Sequence, residues 1–232
     1  MQKRGTMAPR VAHEHHHEPD LVIPAAVGYW SAWLATVAGV AYAVVVGYLV
    51  ITGKFTLPPP ETVQLFAALV TIGSGPLLVA ALVSVHYAVP ARVKVLSLLG
   101  VVFATIFTVM VSINRFVQLA VVRVGASHGN TVGLERFMPY EPGSVMLALE
   151  MVGWGFFLGL ALLFTGLALS RRGLERLVRL TFLVYALLGI GSTVAFVADS
   201  PLSSIGFVAW GLVLPVGTGL LTAWFARLRR RI

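Results

Sequence analysis

The chain has 232 residues, 58% of them hydrophobic and only 11% charged, with a mean hydropathy of +0.89. Soluble domains carry about 25% charged residues and no series of membrane-length apolar runs, so a soluble globular fold and a nucleic-acid-binding module are excluded. The net charge of +8 is therefore read as a topology signal, and the absence of cysteine removes disulfides, thiolate metal sites and thiol-linked lipid anchors.

Residues 1–20 are polar and are read as a disordered cytoplasmic tail. No cleavable signal peptide is expected, because the first apolar run is too long for a signal core. Within the tail, His13, His15, His16 and His17, with Glu14 and Glu18, form the one metal-like cluster of the sequence. Imidazole and carboxylate suit zinc, copper or nickel; the plainer reading is a solvated tail, with no metal or cofactor.

Six apolar runs follow, at roughly 23–51, 64–87, 95–122, 145–169, 177–198 and 205–226. Each reaches the ~20 residues a bilayer crossing needs. They predict an all-α integral membrane bundle of six transmembrane helices, with 21–232 as one domain. Three Lys or Arg precede the first run, two fall in 88–94, four in 170–179 and four after the last run. The alternate connections hold three, and Arg115 is the remaining one of 17. This positive-inside asymmetry predicts cytoplasmic termini and an external 123–143 connection. The basic tail Arg227–Arg231 is expected to touch anionic lipid, so membrane lipids are the expected partners and nucleic acid is not.

Helix 1 is expected to start near Asp20 and Pro24, with Tyr29, Trp30, Trp33 and Tyr48 as interfacial aromatics. In the second run, Ile72-Gly73-Ser74-Gly75-Pro76 predicts a kink or break at mid-membrane, and Leu214-Pro215-Val216-Gly217-Thr218-Gly219 repeats the theme in the sixth. Broken helices bind ions in transporters; a glycine-packed proline kink is the structural alternative. Residues 68–74 faintly match 186–192, an offset of 118 that fits a 3+3 inverted repeat. His86, at a helix end, reads as interfacial. Glycines and prolines across 123–143 predict a lid or connector without a long helix.

The third run ends in Ser112-Ile113-Asn114-Arg115-Phe116-Val117-Gln118. An intramembrane arginine faces the bundle interior or a water-filled cavity and takes a partner; alone it costs ~2.5–3.5 kcal/mol. The partner is Glu150, the one carboxylate well inside another run. On antiparallel helices both charges lie ~10 Å below the outer surface, so they are expected to meet. Glu150, Gly153, Trp154, Phe157 and Ala161 share a helical face, and Gly155 and Gly159 form a close-packing motif on the other. Helix 4 should therefore be central. The candidate ligand-binding residues are Asn114, Arg115, Gln118, Glu150 and Trp154.

The stretches SINRFVQLAVVR and SVMLALEMVGWGFFLGLALLF, spanning about 112–164, resemble segments of uncharacterised bacterial polytopic inner-membrane proteins. The resemblance implies a bacterial inner membrane and a shared role for Asn114, Arg115, Gln118 and Glu150, but no activity. No nucleotide-binding loop, zinc-protease motif or nucleophile elbow is present, so no catalytic residue is expected. The functional expectation is a transporter-like protein, or one binding a small anionic or lipid-like ligand at an outer-leaflet site between helices 3 and 4. The alternative is a non-catalytic accessory or scaffold subunit of a membrane complex, in which the Arg-Glu pair is purely structural. Oligomer formation stays open.

Overall fold

The computed structural model describes residues 21–56, 59–139, 141 and 143–232. Among them are six long helices and no strand: α1 Val22–Ile51, α2 Glu61–Ala88, α3 Ala91–Ser127, α4 Val145–Ala168, α5 Gly173–Val197 and α6 Pro201–Arg229. All six are long and apolar enough to cross a membrane, and the chain is a multi-pass membrane protein. Helices satisfy each backbone donor and acceptor within their own segment, as lipid requires. The outer surface of the bundle is apolar to match: Val44, Leu187 and Val197 are 64%, 75% and 83% exposed.

The helices pack as a ring in sequence order. α1 lies against α2 and α6, α3 against α2 and α4, and α5 against α4 and α6. The ring closes tightly at α1 and α6, where a Cβ on Gly28 would collide with Phe225 and one on Gly39 would stand 2.9 Å from Pro215. One end of the bundle carries the start of α1, the end of α6 and the short α2–α3 and α4–α5 turns. We call this the terminal end. The opposite, loop end carries the α1–α2, α3–α4 and α5–α6 connections.

Several helix limits differ from those expected. α1 begins at Val22 with Leu21 at its N-cap and no side-chain cap; Asp20 lies outside the described residues. α3 has 37 residues and continues past 122 through Gly125 to Ser127. The glycine does not stop it, because Leu134 packs on that face, 2.7 Å from where a Cβ would sit. α2 runs on through Pro76 without interruption. Its neighbour Gly75 lets Thr108 of α3 approach to 2.8 Å of the vacant Cβ position, so packing holds the helix together across the missing donor.

α4 is the most buried span, with 39% of its apolar window inside the bundle against 11% for α1. Gly155 and Gly159 account for one side: a Cβ on either would strike Thr193 or Ile190 of α5. On the other side a Cβ on Gly153 would sit 3.1 Å from Val111 of α3. Ser144 caps the helix start by accepting the Leu147 N–H at 3.2 Å.

Three helices contain a π turn: Gln118–Val122 in α3, Met151–Phe157 in α4 and Ala209–Val213 in α6. Such turns insert a residue into the helical repeat and occur often at functional sites. In α4 the turn is held from α5, where Thr193 donates to the Met151 carbonyl at 3.0 Å and Tyr185 to the Trp154 carbonyl at 2.9 Å. In α6 it lies just before Pro215, whose missing N–H would otherwise leave a gap in the ordinary ladder. His86 also has a structural partner, since its Nδ1 lies 2.8 Å from the hydroxyl of buried Ser97 and ties α2 to α3.

Candidate functional site

The polar segment of α3 folds into a single relay. Residues three and four apart on a helix are neighbours, so Gln118 reaches both Asn114 and Arg115. Gln118 Nε2 donates to Asn114 Oδ1 at 2.9 Å, and Arg115 Nη1 donates to Gln118 Oε1 at 2.8 Å. The relay ends on α4 at both sides. Asn114 Nδ2 donates to the Met146 carbonyl at 3.0 Å, and Arg115 Nη2 forms an ion pair with Glu150 Oε1. The predicted contact between the two charges is thus present, with side chains 9% and 16% exposed.

The relay has a fixed polarity. A backbone carbonyl can only accept, so Asn114 must turn its amide nitrogen to Met146 and its oxygen to Gln118. Gln118 must then present its own oxygen to position 115. That position is left needing a donor, and arginine supplies it. The backbone of α4 therefore dictates the sign of the charge on α3.

The pair sits where two cavities meet. One, of about 440 Å³, reaches from the loop end, past Phe55 and Pro59, down to Arg115 and Glu150. The other, of about 80 Å³, continues toward the bundle centre, with Thr71, Ser74 and Thr218 on its walls. Tyr42, Ala67, Arg115, Glu150 and Trp210 line both, so these residues form a septum between the two spaces. The larger cavity is walled by every helix except α5. It is thus central in the ring, whereas a site between helices 3 and 4 alone was expected.

The five expected residues divide by role. Arg115 and Glu150 face both cavities, and Trp154 faces the inner one. Trp154 packs edge-on against Phe107, with centroids 4.9 Å apart, and tilts toward Trp210 at 6.1 Å. Asn114 is 1% exposed and serves the relay alone. Gln118 turns its other side to a separate cavity of about 350 Å³, lined by Gln64, Arg123, Met138 and Glu141. The described residues of the 123–143 connection line that lateral space and not the central cavities. His13, His15, His16 and His17 lie outside the described residues, among which no group of three or more His, Asp or Glu is placed to hold a metal.

Two contributors were missed from sequence, Tyr42 and Trp210. Sequence position does not separate them from interfacial aromatics, because Trp210 stands nearer the end of its apolar run than Trp30 and Trp33 stand to the end of theirs. Trp210 lies inside the α6 π turn. Its indole Nε1 is buried without a hydrogen-bond partner, and so is Arg115 Nε. Buried donors are rarely left unpaired, and each costs about 1–3 kcal/mol when it is. Two such N–H groups therefore belong to residues that line the same septum. Comparison with protein-family models, curated proteins and solved structures returns no match for this chain.

Proposed function

We propose that this is a transporter-like protein of the bacterial inner membrane that binds a small anionic or lipid-like ligand at the Arg115–Glu150 septum. The charge asymmetry of the connections supports cytoplasmic termini, which puts the loop end and the larger cavity on the external side. The observation that carries the reading is the pair of buried, unpartnered donors, Arg115 Nε and Trp210 Nε1, within two residues that line a cavity of about 440 Å³. That volume falls within the ~300–1,000 Å³ of small-molecule sites. A purely structural clamp gains nothing from unpaired donors. A ligand rich in acceptors, such as a carboxylate or phosphate, satisfies both once the two side chains turn these N–H groups into the cavity, and its apolar portion fits beside Val46, Val63 and Phe207. The smaller cavity beyond the septum supports a transport-like passage of the ligand across the pair.

The test uses the purified full chain in mild detergent and three probes of equal chain length: octanoate, octyl phosphate and octyltrimethylammonium. The two anions should raise the melting temperature of the wild type, and the cation should not. Trp210→Phe keeps the ring and removes one donor, and should lose most of the anion effect. Equal effects of all three probes, or none from any, would remove this reading.

A further inference from the structure

The terminal end of the bundle holds a concavity that the site above does not use. It measures about 730 Å³ and lies among the α2–α3 turn, the α4–α5 turn and Trp224 near the end of α6. Four arginines line it, Arg92, Arg171, Arg172 and Arg179, against a single acid, Glu175. None of the four is in an ion pair; among the described residues the ion pairs are Arg115 with Glu150 and Arg123 with Glu61. Glu175 is committed to the scaffold. One of its oxygens accepts the Ser170 N–H at 2.9 Å and the other accepts Trp224 Nε1 at 3.3 Å. Arg179 is likewise committed, donating to the carbonyls of Leu167 and Leu169 at 3.0 Å each and so closing the end of α4. Arg92, Arg171 and Arg172 remain as exposed guanidiniums without a protein acceptor.

Val93 and Leu167 add an apolar flank, the latter 37% exposed. Trp224 stands among interfacial aromatics, since Tyr29, Trp30 and Trp33 occupy the same end on α1. A cationic floor beside an apolar flank suits an oxyanion that guanidinium binds through paired N–H donors, and at headgroup depth the prevalent oxyanion is phosphate. We infer that this cavity is a phosphate-binding site at the terminal face of the membrane, made by Arg92, Arg171 and Arg172, and that the phosphate is carried by an anionic phospholipid. The site is independent of the septum and of the basic 227–231 tail.

The experiment is native mass spectrometry and thermal melting of the full chain in mild detergent, with four additions compared at equal phosphate: cardiolipin, phosphatidylglycerol, phosphatidylcholine and sodium phosphate. The two anionic lipids should remain as adducts and raise the melting temperature, while phosphatidylcholine should do neither. Sodium phosphate that stabilises the protein and displaces the lipids would support the site and assign it to free phosphate. The variant R92Q/R171Q/R172Q spares Arg179 and should weaken retention about 100-fold, taking roughly a factor of five per juxtamembrane arginine. R229Q/R230Q/R231Q removes the same charge from the tail, which contributes only diffuse attraction, and should weaken retention clearly less than the first variant does. Equal losses in the two variants would show diffuse attraction and overturn the site. Should the first variant fail to fold, the wild type still decides, because indifference between phosphatidylglycerol and phosphatidylcholine overturns it alone.

Discussion

Glu150→Gln isolates the electrostatics of the septum with almost no change of shape. A guanidinium cannot shed its proton, so the variant leaves Arg115 charged with only amide oxygens around it. Removing one partner of a fully buried ion pair costs about 3–5 kcal/mol. Two features of this site reduce that figure. The glutamine carbonyl still accepts from Nη2, and the adjoining cavity admits water to side chains that are 9% and 16% exposed. We expect a loss of about 2–3 kcal/mol. Arg115→Gln should cost less, about 1–2 kcal/mol, because the glutamine amide still donates to one of the two acceptors, Gln118 and Glu150, that Arg115 serves.

The double variant contains no charge at the septum, so it should recover part of the summed loss, with a coupling of about 1–2 kcal/mol. Reversible unfolding in mixed micelles, followed by tryptophan fluorescence, measures all four proteins. Trp154 and Trp210 line the same cavity as the pair and report on it directly. Strictly additive single losses would mean that the charges do not interact. A larger loss for Arg115→Gln than for Glu150→Gln would refute the asymmetry between the two groups.

The charge swap R115E/E150R should fold but lose about 1 kcal/mol even with its ion pair intact, because a carboxylate at 115 turns the Gln118 and Asn114 amides around and sets Asn114 Oδ1 against the Met146 carbonyl; stability equal to the wild type would refute the fixed polarity. Tyr185→Phe leaves the Trp154 carbonyl of the π turn without its partner and should cost about 1–3 kcal/mol in the same unfolding assay. Gly155→Leu should abolish folding in a detergent extract, as Thr193 and the Gly189 carbonyl leave no room for a side chain; Gly73→Leu, where no atom lies within 4 Å, is the control that should fold. A cysteine at position 128 should react with an impermeant thiol reagent in intact cells, and labelling only after lysis would invert the topology.

What the sequence disclosed follows from cost. Arg115 and Glu150 stand out because charge is expensive in an apolar run, and the expense also says that they must meet. Gly155 and Gly159 are legible for a related reason, since two glycines four apart on a helix leave a groove that only another backbone fills. Tyr42 and Trp210 carry no comparable signature, because an aromatic ring is apolar enough to sit at an interface, in a core or on a cavity wall. Only the convergence of α1 and α6 on α3 and α4 distinguishes the last case. Pro76 left two readings open, a break and a glycine-packed proline in a continuous helix; the second holds, and the residue that packs over Gly75, Thr108, is on another helix.

The π turns lie where a reading from the sequence leans most on a regular helical repeat. An extra residue in the repeat rotates all that follows by about 100° relative to a regular helix. Glu150 stands just before the α4 turn and Trp154 within it, so the two can both reach the cavity while Gly155 and Gly159 still meet α5. In α3 the turn begins at Gln118, which lets that residue close the relay with one side and face the lateral cavity with the other. In α6 the turn contains Trp210, one of the two septum residues with an unpaired donor. The three helices with π turns therefore place them at, or directly after, a residue of the septum or its relay. Periodicity assumes the repeat is intact, so a reading based on it is weakest at these turns, which the fold uses to assemble the site.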